Sequence, residues 1–207
     1  MVYCIPVCGV FETNCYIYAD EKTHRGFLID PAAQPQKILD FIRENNLVIE
    51  KILITHGHFD HIGAAEEIAK ILDVKIYAHK NCDDYLLNPA KNLSQVYYHP
   101  IILKGANHIC EGEIISLEAD EKFSLKVFET PGHTEDGVIF YSQQDKIAFV
   151  GDTIFKGSIG NYTFPGGDFN NLMRSIKEKI FALPDDTVLF SGHSDPTTVL
   201  AEKRNLA

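Results

Sequence analysis

The densest run of chemically capable side chains is Thr55-His56-Gly57-His58-Phe59-Asp60-His61, which packs four residues of metal-ligand type into six positions. His56 and His58 are one residue apart, so a turn can direct both imidazoles to one point. Asp60 and His61 can then diverge toward a neighbouring point. Imidazole nitrogen and carboxylate oxygen both suit zinc, and a second ion can share a bridging ligand or water. Isolated histidines are usually surface or hydrogen-bonded residues, but this density points to metal. Water on such an ion has its pKa lowered to about 7, giving hydroxide that can attack an ester or thioester carbonyl. The metal charge stabilises the oxyanion, and Asp60 can orient the nucleophile or manage its proton. Ser191 and Ser194 flank His193, yet adjacency in sequence does not supply the base geometry of a serine hydrolase.

Three later residues share the local setting. His133 follows Thr130-Pro131-Gly132, Asp152 follows Gly151 at the end of an apolar run, and His193 follows Ser191-Gly192. Each lies where a strand gives way to a loop, the place where open α/β architectures expose functional side chains. With His56, His58, Asp60 and His61 they make seven ligands, enough for two ions.

The elements that position them follow from periodicity. Tyr3 to Ile29 reads as paired strands ending at Asp30-Pro31, and Ile38, Leu39 and Ile42 mark a helix that ends near Asn45-Asn46. Ile49 to Ile54 reads as a buried strand directly before the histidine run. Ala64, Ala65, Ile68, Ala69, Ile71 and Leu72 then mark a packed helix. A further strand is expected at Val74 to Tyr77. The stretch from His79 to Asn107, with Pro89 and Pro100, predicts a long loop with short helices beside a pocket that Tyr97 and Tyr98 could line. Strands are expected at Ile114–Leu117, Phe123–Glu129, Val138–Tyr141, Lys146–Val150 and Thr187–Phe190, with a helix from Phe169 to Ile180.

Composition bounds the class. The 207 residues, 45% hydrophobic with 13 Phe and 9 Tyr, suit one folded domain with a full core. A net charge of -10, from 19 basic and 29 acidic residues, disfavours non-specific nucleic-acid or anionic-membrane binding. No apolar run reaches the roughly 18 residues of a membrane span. The opening Met1-Val2-Tyr3-Cys4-Ile5 has no signal-peptide pattern, so a cytoplasmic location is expected. Cys4, Cys8, Cys15, Cys82 and Cys110 are odd in number and irregular in spacing, as free thiols would be.

Taken in order, several segments resemble the metallo-beta-lactamase superfamily, in its single-domain branch similar to hydroxyacylglutathione hydrolase (glyoxalase II). They are Asn14-Cys15-Tyr16, Thr55 to His61, Thr130-Pro131-Gly132-His133-Thr134, Gly151-Asp152-Thr153, Phe164-Pro165-Gly166-Gly167-Asp168 and Gly192-His193. The resemblance implies an α/β fold, an αββα sandwich with two mixed β-sheets between helical layers, spanning 1–207 as one domain. It implies two divalent ions, zinc first with iron or manganese as alternatives. His56, His58 and His133 would hold one ion and Asp60, His61 and His193 the other, with Asp152 bridging both. Thr55 and Thr134 are expected to orient ligands through their hydroxyls.

The same resemblance implies a thioesterase acting on a hydroxyacylglutathione-like small molecule. Two-domain members add a C-terminal helical domain that helps bind glutathione, but His193 lies fourteen residues from the end of this sequence, and no such domain is expected. Where relatives carry a lysine or arginine after the bridging aspartate, this chain reads Gly160-Asn161-Tyr162-Thr163. Lys156, Asn161 and Tyr162 are the expected substrate-binding residues, with Lys156 as the substitute base. Glu135-Asp136 is expected to add acidity at the pocket rim. Alternatives on the same binuclear site are a lactonase, a phosphodiesterase or an iron-dependent sulfur dioxygenase.

Overall fold

The computed structural model describes residues 1–206. Six strands form the first sheet in sequential order: β1 (Val2–Cys8), β2 (Glu12–Ala19), β3 (Arg25–Ile29), β4 (Val48–Leu53), β5 (Lys75–His79) and β6 (Asn107–Ile109). β1 to β3 are antiparallel, whereas β3 to β6 run parallel, so the sheet is mixed. Crossovers between parallel strands need long connections. Helices α1 (Pro35–Glu44), α2 (Phe59–Ile62) and α3 (Ala65–Leu72) supply the first two, and the short α4 (Asp83–Leu86) and α5 (Ser94–Tyr97) lie in the third.

The second sheet is built from β7 (Ile114–Ser116), β8 (Ser124–Glu129), β9 (Val138–Ser142), β10 (Ile147–Gly151), β13 (Val188–Ser191) and β14 (Thr197–Thr198). Their spatial order is β14-β13-β10-β9-β8-β7, and the β10–β13 pair is parallel. A small hairpin, β11 (Ile154–Phe155) with β12 (Ser158–Ile159), leaves the end of β10. Helices α6 (Phe169–Ser175) and α7 (Val199–Asn205) complete the chain order.

Alternation within single strands shows how the layers stack. In β2, Cys15, Ile17 and Ala19 pack toward the α1 and α3 residues Ile38, Ile42 and Ile68. Tyr16 and Tyr18, one residue out of phase, pack against Phe140 and Phe149 of the second sheet. Leu28 and Ile52 repeat the first orientation, and Phe27, Ile29 and Leu53 the second. A strand with both faces buried reads as an unbroken apolar run. The far face of the second sheet is covered by Leu172, Ile176 and Ile180. The architecture is therefore an α/β sandwich with two mixed sheets and flanking helices, as the sequence leads one to expect.

The differences are local. The helix expected from Phe169 to Ile180 is α-helical only to Ser175; Ile176–Ile180 widens into a π-turn, closed by Phe181 N–H donating to the Ile176 carbonyl. β6, β11, β12, β14 and α7 are additional to the elements read from the sequence. All five cysteines are free. Among the described residues, no helix is long and apolar enough to cross a membrane.

Candidate metal centre

The carboxyl ends of β3, β4, β8, β10 and β13 meet along one edge of the sandwich. Thr55 carbonyl accepts from Val138 N–H, and Gly192 N–H donates to the Gly151 carbonyl, so backbone bonds fix the loops that leave these strands. His56 and His58 follow β4, Asp60 and His61 sit in α2, His133 follows β8, Asp152 follows β10 and His193 follows β13. All seven side chains converge.

His58 Nδ1 lies 3.2 Å from His56 Nε2 and 3.0 Å from His133 Nε2. His193 Nε2 lies 3.4 Å from His61 Nε2 and 3.3 Å from both Asp60 Oδ2 and Asp152 Oδ2. Asp152 stands between the groups, its Oδ1 3.4 Å from His61 Nε2 and its Oδ2 3.7 Å from His133 Nε2. Ring nitrogens converging this closely could hold a metal ion between them. Asp152 Oδ1 is buried without a hydrogen-bond partner, which is costly unless something positive satisfies it. Donor types, convergence and this orphaned oxygen all fit a pair of metal ions. The groupings His56-His58-His133, His56-His61-Asp152 and Asp60-His61-His193 each bring three ligand atoms within 4.8 Å of one another.

The protonation states divide the cluster. Burial, then mutual repulsion, holds His56 well below the ordinary histidine value, and the same causes push His58 down to about 3. Burial also lowers His133. These three imidazoles are neutral, the state in which imidazole binds metal. For His61 and His193 burial acts downward too, but Asp152, aided by Asp30 or Asp60, outweighs it; His61 is held well above its usual value and His193 rises to about 10. Burial raises Asp152, yet His61 and His193 overcome it and keep the carboxylate ionised.

Three of the outward ring nitrogens are anchored, while His58 Nε2 is buried without a partner. His61 Nδ1 faces Asp30 Oδ2 at 2.9 Å, His133 Nδ1 faces the Asn161 carbonyl at 2.6 Å, and His193 Nδ1 faces the Glu12 carbonyl at 2.7 Å. Such bonds select the tautomer and fix the ring. Asn14 Nδ2 donates to the Ser191 and Ser194 carbonyls and Tyr16 hydroxyl donates to the Ser191 carbonyl, bracing the His193 loop. A Cβ on Gly192 would collide with Asp152 Oδ1 and the His61 ring, so the chain passes there without one.

A model of the metallo-beta-lactamase superfamily matches residues 8–193. The chain belongs to that superfamily. It is 34% identical over 204 residues to hydroxyacylglutathione hydrolase GloC of Haemophilus influenzae (strain ATCC 51907 / DSM 11121 / KW20 / Rd), covering 97% of this chain and 94% of that one. The crystal structure of BLEG-1 B3 metallo-beta-lactamase superimposes with a TM-score of 0.91 at 32% identity, over 99% of this chain and 97% of the other. TTHA1623, solved in a di-iron-bound form, gives 0.83 at 29% identity over 98% of each chain. As a metallo-beta-lactamase superfamily hydrolase, the chain carries a His/Asp metal-binding cluster of the kind the superfamily uses for divalent ions.

The expected substrate-binding residues of this superfamily member differ in their surroundings. Asn161 reaches it through its backbone carbonyl, while its side chain accepts from Thr163 N–H and hydroxyl. Lys156 Nζ is paired with Asp195 at 3.1 Å, and Tyr162 is half-exposed with its ring against Phe169. Phe164, unassigned from sequence, packs edge-on to both His58 and His133. Asp136 departs from the expectation of an acidic rim: it is buried and accepts from Gly57 N–H at 2.9 Å, because it closes the turn between His56 and His58. Glu135 is exposed, paired with Lys91. Thr55 hydroxyl donates to Asp30 Oδ2 at 2.6 Å and lies 3.2 Å from His56 Nδ1, an orienting position; Thr134 hydroxyl is buried without a partner.

Asp30 is the residue the sequence reading missed. It accepts from Thr55 N–H and hydroxyl as well as facing His61, and its φ of 48° places a non-glycine residue in the left-handed region. Asp followed by Pro31 at a strand end was the only local signal. The serine alternative finds no support, since Ser191 Oγ bonds Ser194 Oγ at 2.7 Å and His193 is directed to Glu12 and the cluster.

Proposed function

We propose that this chain is a binuclear metal-dependent thioesterase acting on a hydroxyacylglutathione-like substrate, with residues 1–207 working as one catalytic domain and zinc as the ion. The observation that carries the reading is the convergence of His56, His58, His133, Asp60, His61, His193 and Asp152 around a buried carboxylate oxygen with no hydrogen-bond partner. His56, His58 and His133 would hold one ion, Asp60, His61 and His193 the other, and Asp152 both. Similarity to the Haemophilus enzyme supports the thioester as substrate class.

Divalent ions held there supply a hydroxide nucleophile near neutral pH and positive charge for the oxyanion. Asp60 is partly open to solvent beside His193, where it can orient the attacking water and take its proton. The water oxygen bonds to the acyl carbon and the carbon–sulfur bond breaks. The products are a carboxylate, a thiol and one proton. A thiolate leaves with little protonation, so no separate acid is required. Asp30, Glu12 and Asn161 act through the histidines they orient.

Metal-loaded protein tested against S-lactoylglutathione, a lactone, a phosphodiester and a persulfide under oxygen should show its highest kcat/KM on the thioester. Full metal content without thioester turnover overturns the reading, and persulfide-dependent oxygen uptake would replace it with the dioxygenase.

A further inference from the structure

A cleft of about 290 Å³ opens beside Asp60, between the turn joining β1 to β2 and the segment after α5. Phe11, Phe59 and Tyr98 wall it, and Ala33 and Gly63 contribute little bulk to its lining. Phe59 is buried, stacking at 16° on Tyr97 and at 19° on Tyr98, while Phe11 meets Phe59 and Tyr97 at ring separations of 5.9 and 5.6 Å. Phe11 and Tyr98 are nevertheless 43% and 54% exposed, so apolar surface remains on both rims. Among the described residues that line the cleft, the titratable side chains are Asp60, Glu67, Tyr98 and His99; none is Lys or Arg.

We propose that this cleft is the acyl-side subsite and receives an uncharged, apolar acyl chain whose scissile carbonyl lies over the Asp60-His193-Asp152 group. The proposal rests on the thioesterase reading and specifies its substrate class. Continuity places the occupant, because Asp60 both lines the cleft and belongs to the ligand cluster. Chemistry selects it: aromatic walls favour hydrocarbon, and Glu67, which is not a metal ligand, repels a carboxylate. Lys156 and Asn161 belong to other surroundings, the first paired with Asp195 and the second tied to His133 through its carbonyl.

The test is a set of glutathione thioesters with acetyl, butanoyl, pentanoyl, hexanoyl and glutaryl groups, given to the metal-loaded full chain. Expected is a rise in kcat/KM of about 4-fold per methylene until the cleft is full, from roughly 0.8 kcal/mol per buried methylene. Glutaryl should fall below pentanoyl, its uncharged counterpart of equal chain length. Ala33→Phe should bring the hexanoyl-to-acetyl ratio toward one, and Glu67→Lys, on the exposed face of α3, should raise the glutaryl-to-pentanoyl ratio. Acetyl turnover with a flat or falling series overturns the subsite and leaves the thioesterase reading standing. A rising series whose ratios neither variant alters also overturns it. Failure of every thioester overturns both.

Discussion

His61, His133 and His193 each direct Nε2 to the cluster because Nδ1 is already bonded, to Asp30, Asn161 and Glu12 respectively. His58 is reversed and offers Nδ1. The rings of His61, His133 and His193 are thus fixed by what their other nitrogen touches, whereas His58 Nε2 has no such partner. Asp136 performs a related service for the backbone, accepting from Gly57 N–H in full burial. Burial pushes its carboxyl up to about 7. The unfolded value is about 3.9, so between about pH 4 and 7 the folded metal-free protein keeps a proton that the unfolded chain has lost. Stability therefore falls as pH rises through that window and levels above it. Asp136→Asn keeps a carbonyl acceptor and removes this dependence. Urea unfolding in chelator should show the variant gaining on the parent by up to about 4 kcal/mol between pH 4 and 8; parallel pH profiles would refute the assignment.

At the scale of elements, the site is made by strand ends and one carboxylate that ties two of them to α2. Asp30, at the end of β3, accepts from Thr55 after β4 and faces His61 in α2. Asp30→Asn retains an acceptor for Thr55 N–H but withdraws the charge that aligns His61. Loss of such an outer partner costs about 10- to 100-fold in metal affinity, so chelator competition should show one ion weakened and the other retained. Equal retention of both would contradict the role given to Asp30. These contacts explain what was legible beforehand. The run from His56 to His61 is local, and its ligand density is visible in the sequence itself. Asp30 finds its partners 25 and 31 residues away, and Asn161 acts through a carbonyl that every residue possesses. The π-turn at Ile176–Ile180 keeps two isoleucines on the sheet and so imitates helical spacing. β6 and β14, at three and two residues, are too short to carry an alternation.

For the whole molecule, the first sheet brings four residues of the cluster and the second brings three. His56, His58, Asp60 and His61 come from the first sheet's edge, and His133, Asp152 and His193 from the second's. Two series of strands interspersed with helices, together with the family resemblance, made the sandwich predictable, whereas the meeting of its halves is a tertiary event. A ligand set assembled only by the closed sandwich couples metal binding to folding. The decisive quantity is metal content. Protein reconstituted with excess zinc, desalted and analysed by plasma mass spectrometry should hold two ions per chain, and a wild-type content of one or none would contradict the binuclear centre.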